Sequence, residues 1–257
     1  MSENETNNKV QSKAKIAYGY KALSGDMCAV NGDGMKYELK KWYKVEGEIR
    51  PCENGFHFCK KLEDTYSYYD SDDERGFRLF KVAAKGEVVD CDDDEKPVAG
   101  ELHLIKELTP DEIDNYFIKN ANRLVNDESW KIRRELVRRD LCLDKLVNDK
   151  HWNVRLEIAK QGKYLDRLVG DKDWRIRLEL VRQGKYLDRF VNDKDWFIRL
   201  EIARQGKYLD RLVDDEYPDV RLEIAEQGKY LDRLVDDKDL TVRDMARKKL
   251  AEQQSQK

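Results

Sequence analysis

Eight cations recur at fixed spacing in the second half of the chain. Lys163, Lys185, Lys207 and Lys229 stand 22 residues apart, and Arg167, Arg189, Arg211 and Arg233 each follow four positions later. Every such pair belongs to a copy of the six residues GKYLDR. Rows of ammonium and guanidinium groups bind anions, either the phosphates of a nucleic acid or the carboxylates of a protein. Asp166, Asp188, Asp210 and Asp232 set an acidic row directly beside the basic one. Nucleic acid favours an uninterrupted basic row, so the interleaved acid ranks a protein partner first and nucleic acid below it.

Other chemistry finds little support. The sequence holds no Gly-rich phosphate loop and no G-x-S-x-G elbow. The run DCDDDEK (Asp90 to Lys96) lacks EF-hand spacing and its closing Glu, and reads as a solvated acidic loop. Five cysteines are scattered without a C-x-x-C pair, and three histidines lie far apart in sequence. Neither a disulfide framework, a metal site nor a cofactor is expected, and the cysteine usage suits a reducing compartment. No apolar run approaches the ~18 residues of a membrane span. The polar start MSENETNNKVQSKAK lacks a signal peptide's apolar stretch. A cytoplasmic protein with no membrane partner is the expectation.

Charged residues make up 40% of the 257, yet the net charge is only −3. Residues 1–120 hold 18 basic and 25 acidic groups, and residues 121–257 hold 32 and 28. So high a charge density suits an array of small repeats, with much surface for its volume, better than one compact globule. The acidic first half and the slightly basic second half should present different surfaces.

The elements that must carry the cationic rows follow from the same period. Trp130, Trp152, Trp174 and Trp196 fall in register, with Pro218 and Leu240 continuing the column. Three positions later comes an unbroken column of Arg133, Arg155, Arg177, Arg199, Arg221 and Arg243. One unit reads as two helices. In DKDWRIRLELVRQG, Asp171 is placed to cap the first helix and Gly184 to end it in a left-handed turn. KYLDRLV forms a second element of one or two turns. Trp174, Leu178 and Val181 project to one face and Ile176 with Leu180 nearly to the other, so the helix should be sandwiched between neighbouring units.

Units such as Asp149 to Ala159 and Asp215 to Ala225, with the pattern D-x-x-W-x-V-R-x-x-x-A or Pro in place of Trp, resemble HEAT-like repeats, and among them the short leucine-rich variant repeats. The resemblance covers residues 121–250 and implies a superhelix of paired helices that binds proteins or nucleic acids. It also implies that Asp and the Arg six residues on, as in Asp171–Arg177, form a structural ladder between units. The Trp column is expected in the core, where an aromatic side chain contributes most. Each Tyr of GKYLDR should be part-buried, and its Lys, Asp and Arg exposed.

Before residue 109 the period changes. KIAYGYKAL, FRLFKVAAKGEVVD and ELHLIKEL read as strands, NGDG as a turn and KKLEDTYSYYD as a short helix. TPDEIDNYFIKNANRL opens with a Thr-Pro helix start and leads into the repeats. ENGFHFCKKLEDTYSYY followed by FRLFKVAAKGEVVD resembles two adjacent pieces of the ADP-ribosyltransferase fold. On that resemblance His57 stands where the family has a Tyr, Lys21 lies near the place of its dinucleotide-binding His, and Glu101 matches the ribose-orienting Glu. The ENGFHFC block also looks like an uncharacterised domain of bacteriophage and mobile-element proteins.

The expected architecture is an α+β N-terminal domain followed by an all-α HEAT-like solenoid of about five to six 22-residue two-helix repeats. Its parts are a disordered tail (1–15), the α+β domain (16–108), a capping helix or linker (109–123), the solenoid (124–250) and a second tail (251–257). The expected function is noncatalytic protein binding through the eight cations named above. The alternatives are an ADP-ribosyltransferase-like enzyme using His57 and Glu101, with the solenoid recruiting its target, and nucleic-acid binding.

Overall fold

The computed structural model describes residues 16–29, 34–50, 53–69, 76–91 and 94–255. The NGDG turn, save Gly34, and the N-terminal tail lie outside them. The chain divides into two compact units, Met1–Arg139 and Asp140–Lys257.

The first unit is built on an antiparallel sheet. Its strands are β1 (Ala17–Ser24), β2 (Trp42–Lys44), β3 (Phe56–His57), β4 (Phe77–Cys91) and β5 (Asp94–Glu107), in the order β1-β4-β5-β2, with β3 also pairing β5. The expected strands of the first half are present. The acidic run from Asp90 forms the end of β4 and the start of β5, with Cys91 paired to Asp94, so most of it is strand and not loop. Alternation along β4 sends Phe80, Val82 and Ala84 into a core with Leu23, Tyr43 and Leu104. Lys81, Ala83 and Lys85 therefore face the other way.

On that opposite side lie α1 (Asp64–Tyr68), α2 (Pro110–Leu124) and α3 (Trp130–Arg138). Helix α2 begins with a capping box, in which Thr109 accepts from the Glu112 backbone and Glu112 accepts from that of Thr109. Tyr66 meets Phe117 edge-on at 5.3 Å, and the Arg139 guanidinium sits 4.2 Å over Phe117. Helix α3 carries the first Trp and Arg of the 22-residue columns, yet it packs against α1 and α2 inside this unit.

The second unit repeats one pattern. After the short α4 (Leu143–Leu146) come four long-short pairs: α5 (Trp152–Lys160) and α6 (Leu165–Leu168), α7 (Trp174–Arg182) and α8 (Leu187–Phe190), α9 (Trp196–Arg204) and α10 (Leu209–Leu212), α11 (Pro218–Glu226) and α12 (Leu231–Leu234). The long α13 (Leu240–Ser255) follows, so residues 251–255 are helix where a tail was expected. Successive long helices pack on one another. The α+β domain and helical repeats expected from the sequence are both present. Among the described residues, no helix is long and apolar enough to cross a membrane.

The long helices bury one wide arc, not two stripes. In α7 the residues Ile176, Arg177, Leu180 and Val181 are buried, and at 100° per residue they span roughly 140°. Trp174 and Leu178 fall at the margin of that arc. Trp174 is accordingly 38% exposed and Leu240 61%, so the Trp column is not the core it was expected to be.

Candidate partner-binding surface

Each GKYLDR copy begins by ending a helix. Gly162, Gly184, Gly206 and Gly228 have φ near +70°, which glycine adopts without a Cβ penalty. The Gly184 amide donates to the Val181 carbonyl at 2.8 Å, and the Lys185 amide to the Leu180 carbonyl at 2.9 Å. This pair of bonds is the Schellman closure of a helix C-terminus. It recurs at Lys163, Lys207 and Lys229. At Lys185, Lys207 and Lys229 the fold thus uses only the backbone, and any residue with an amide N–H would serve.

Tyr164, Tyr186, Tyr208 and Tyr230 are also left-handed, with φ between 51° and 55°. Nothing in their type announces this, because a bulky L-residue there costs about 1–2 kcal/mol. The register with Cys142, at φ 56°, shows that the position itself demands the conformation. Each Tyr carbonyl then accepts from the Arg amide three residues on, which starts the short helix; for Arg189 the distance is 2.9 Å. The same Arg lays its guanidinium on the Tyr ring, 5.7 Å away at Arg167 and 5.9 Å at Arg189 and Arg211. Arg233 pairs with Asp214 and Lys163 with Asp140. Lys185, Lys207 and Lys229 carry no ion pair among the described residues. Asp166, Asp188, Asp210 and Asp232 are exposed between them.

Two inter-unit ladders hold these rows at constant spacing. Arg155, Arg177, Arg199 and Arg221 are buried, and each grips both carboxylate oxygens of an Asp sixteen residues later. The Asp six residues earlier, in which the resemblance sees the ladder partner, contributes its backbone carbonyl instead. Asp171 therefore does not cap α7. It grips Arg155 and accepts from the Asp173 amide, while Asp173 caps the helix. A second ladder escaped the sequence reading. Gln183, Gln205 and Gln227 donate at 2.8 Å to the carbonyls of Ala159, Val181 and Ala203, each near the end of the preceding long helix. The only sequence signal was a Gln before every Gly.

A further feature surfaces along the long helices' N-terminal ends. Arg175 lies 4.3 Å over Trp152 and 5.1 Å over Trp174. Trp174 approaches Phe197 at 5.7 Å, Phe197 approaches Trp196 at 4.5 Å, and Trp196 stacks on Tyr217 at 5.6 Å. Trp174, Phe197 and Tyr217 are each about 40% exposed. The rings form one continuous strip across four units.

In the first unit, of the residues suggested by the transferase resemblance, Lys21 meets the backbone of His57, while Glu101 lies on the other face of the sheet. Lys21 pairs with Phe80 and is buried on the core side, where its ammonium donates to the His57 carbonyl at 2.8 Å. Glu101 pairs with Lys85 on the opposite face and accepts from Lys85 at 3.0 Å, with Lys44 at 3.7 Å. Hydrogen bonding to Lys85 holds the Glu101 carboxyl below its ordinary range. His57 lies on β3, opposite Val98.

Residues 17–115 match a family model described as a domain of unknown function (DUF7666), which covers the sheet and the first turns of α2. No curated protein and no solved structure matches the chain.

Proposed function

We propose that this chain is a noncatalytic binding protein whose HEAT-like repeats dock a protein partner along the strip from Trp152 to Tyr217 and the GKYLDR rows. The observation that carries this reading is the exposed, continuous strip itself. Trp, Tyr and Arg are the residue types that concentrate binding energy at protein interfaces, and here Trp174, Phe197 and Tyr217 stay partly exposed, with Arg175 over Trp152 and Trp174. The mixed charge of the GKYLDR rows, lysines and arginines alternating with Asp, suits a protein surface better than a phosphate backbone.

Affinity capture with the full chain, read by mass spectrometry, tests it. A partner recovered with the wild type should be lost with Trp174→Ala/Phe197→Ala, a variant whose changed side chains lie at the surface. Recovery of the same proteins in the same amounts would refute the reading.

A further inference from the structure

On the side away from its core, where α1 meets Phe77 and α2 meets Tyr20, the sheet leaves a second surface toward Tyr18, Trp42 and Lys85 that the repeats do not explain. Cross-strand pairing aligns three rows there. Tyr18, Ala83, His103 and Trp42 stand in one line across β1, β4, β5 and β2. On one side of it Tyr20, Lys81 and Lys106 form a parallel row, and on the other Lys85, Glu101 and Lys44 form a third. Residues in register on one face stand roughly 4.8 Å apart per strand, so each row brings its side chains close together.

Two of the rings on this platform are exposed. Tyr18 is 60% exposed and Trp42 39%. Trp42 stacks on His103 at 5.0 Å with an interplanar angle of 15°, and the Lys85 ammonium lies 4.2 Å over Trp42. Apolar area left in water is unfavourable, and a sheet face meant only for solvent would carry smaller polar residues. Beside the Tyr20 row opens a cavity of about 510 Å³, lined by Tyr20, Lys81, Lys106, Asn115, Tyr116 and Lys119. Lys106 is paired with Glu112, but Lys81 and Lys119 carry no ion pair among the described residues. Glu101 offsets one of the two lysines that flank it.

We propose that this sheet face and the adjoining cavity bind single-stranded nucleic acid, with bases stacked on Tyr18 and the Trp42–His103 pair and phosphates held by Lys44, Lys81, Lys85 and Lys119. Every base has a flat π face that an exposed aromatic ring accepts, and single strands, unlike duplexes, leave those faces free. The local surplus of lysine supplies the matching charge, although residues 1–120 are acidic as a whole. An acidic peptide would satisfy the lysines but would leave the flat rings unused.

Fluorescence anisotropy of the full chain decides it, using labelled oligouridine and oligothymidine of about 16 nucleotides. Low-salt binding to either oligomer that falls steeply with added salt is expected, and the preferred oligomer identifies the strand type. Tyr18→Ala and Lys81→Glu/Lys119→Glu should each weaken it on the order of tenfold. Tyr18→Phe should retain it, since the stacking ring persists. All three substituted residues are exposed, and an unchanged melting temperature confirms folding. Absence of binding at low salt overturns the proposal. So does undiminished binding by Tyr18→Ala and by Lys81→Glu/Lys119→Glu, or equally tight binding of a duplex of the same length.

Discussion

Arg177 reaches forward sixteen residues, donating from Nε and Nη2 to the two carboxylate oxygens of Asp193 at 2.8 and 3.0 Å, while Nη1 donates at 2.8 Å to the backbone carbonyl of Asp171. One guanidinium therefore ties the start of its own unit to the start of the next. Both side chains are about 7% exposed. Arg177→Ala would leave the Asp193 carboxylate buried without its fork of donors, a loss of about 3–5 kcal/mol. Urea denaturation followed by circular dichroism measures it. Arg177→Met/Asp193→Asn should cost clearly less than the sum of the single changes, because the two residues share one interaction.

Gly184 and Gly170 separate conformation from packing. A Cβ on either meets no atom within 4 Å, but only Gly184 has a positive φ, of 68°. Gly184→Ala should therefore destabilise by about 1–2 kcal/mol from backbone strain alone. Gly170 stands where the other units carry Asn148, Asn192, Asp214 and Asp236, so an L-residue fits there. Gly170→Ala should gain about 0.5 kcal/mol by restricting the unfolded chain. Equal melting shifts for the two variants would contradict this account.

These residues also show how far the sequence could be read. The Arg column was legible because period and residue type agree. Its partner was not, because a spacing of six within a unit and sixteen between units are equally regular in a perfect repeat. The Trp column misled: a helical projection ranks directions but does not say where the neighbouring helix ends, and Trp174 falls just beyond that edge. The left-handed Tyr186 had no signal in its type, only in its register with Cys142. In the first unit β4 was visible from alternation, and β5 from Glu101 onward. Trp42–Lys44 and Phe56–His57 were not, since two or three residues carry no period and exist as strands only through β5. The platform of Tyr18, His103 and Trp42 was invisible for the same reason, being assembled by pairing between distant segments.

Lys21 makes the stability of the first unit depend on pH in the alkaline range. Burial pushes its ammonium down from 10.5 to about 8, opposed by Cys59 and assisted by Lys96. The Tyr37 ring at 5.3 Å and the His57 carbonyl also face it. Between about pH 8 and 10.5 the unfolded chain keeps a proton that the folded chain has released, so folding becomes more favourable as pH rises. Below pH 8 both states are charged and the penalty, about 3 kcal/mol, is constant. Tyr66 and Tyr69, raised to about 12 by burial, reverse the trend above the ordinary tyrosine range, near pH 10. A melting series from pH 7 to pH 10 should show the rise in the wild type and not in Lys21→Met, which should also be the more stable protein at pH 7. A flat wild-type profile would count against a charged, buried Lys21.

Lys185, Lys207 and Lys229 offer the sharpest distinction between fold and recognition. Their amides close helices, while their side chains are exposed and unpaired among the described residues. Replacing all three with Glu leaves every backbone bond in place, so the melting midpoint should move by less than about 1 kcal/mol in stability. If the rows steer a protein partner, the effect should appear mainly in the association rate. Rim charges accelerate encounter more than they hold the complex, and their influence fades as salt screens them. Stopped-flow or surface-based kinetics with the captured partner should therefore show slower association at low salt, converging with the wild type at high salt. An unchanged association rate would restrict recognition to the aromatic strip from Trp152 to Tyr217 and reduce the lysine columns to solvated copies of one duplicated unit.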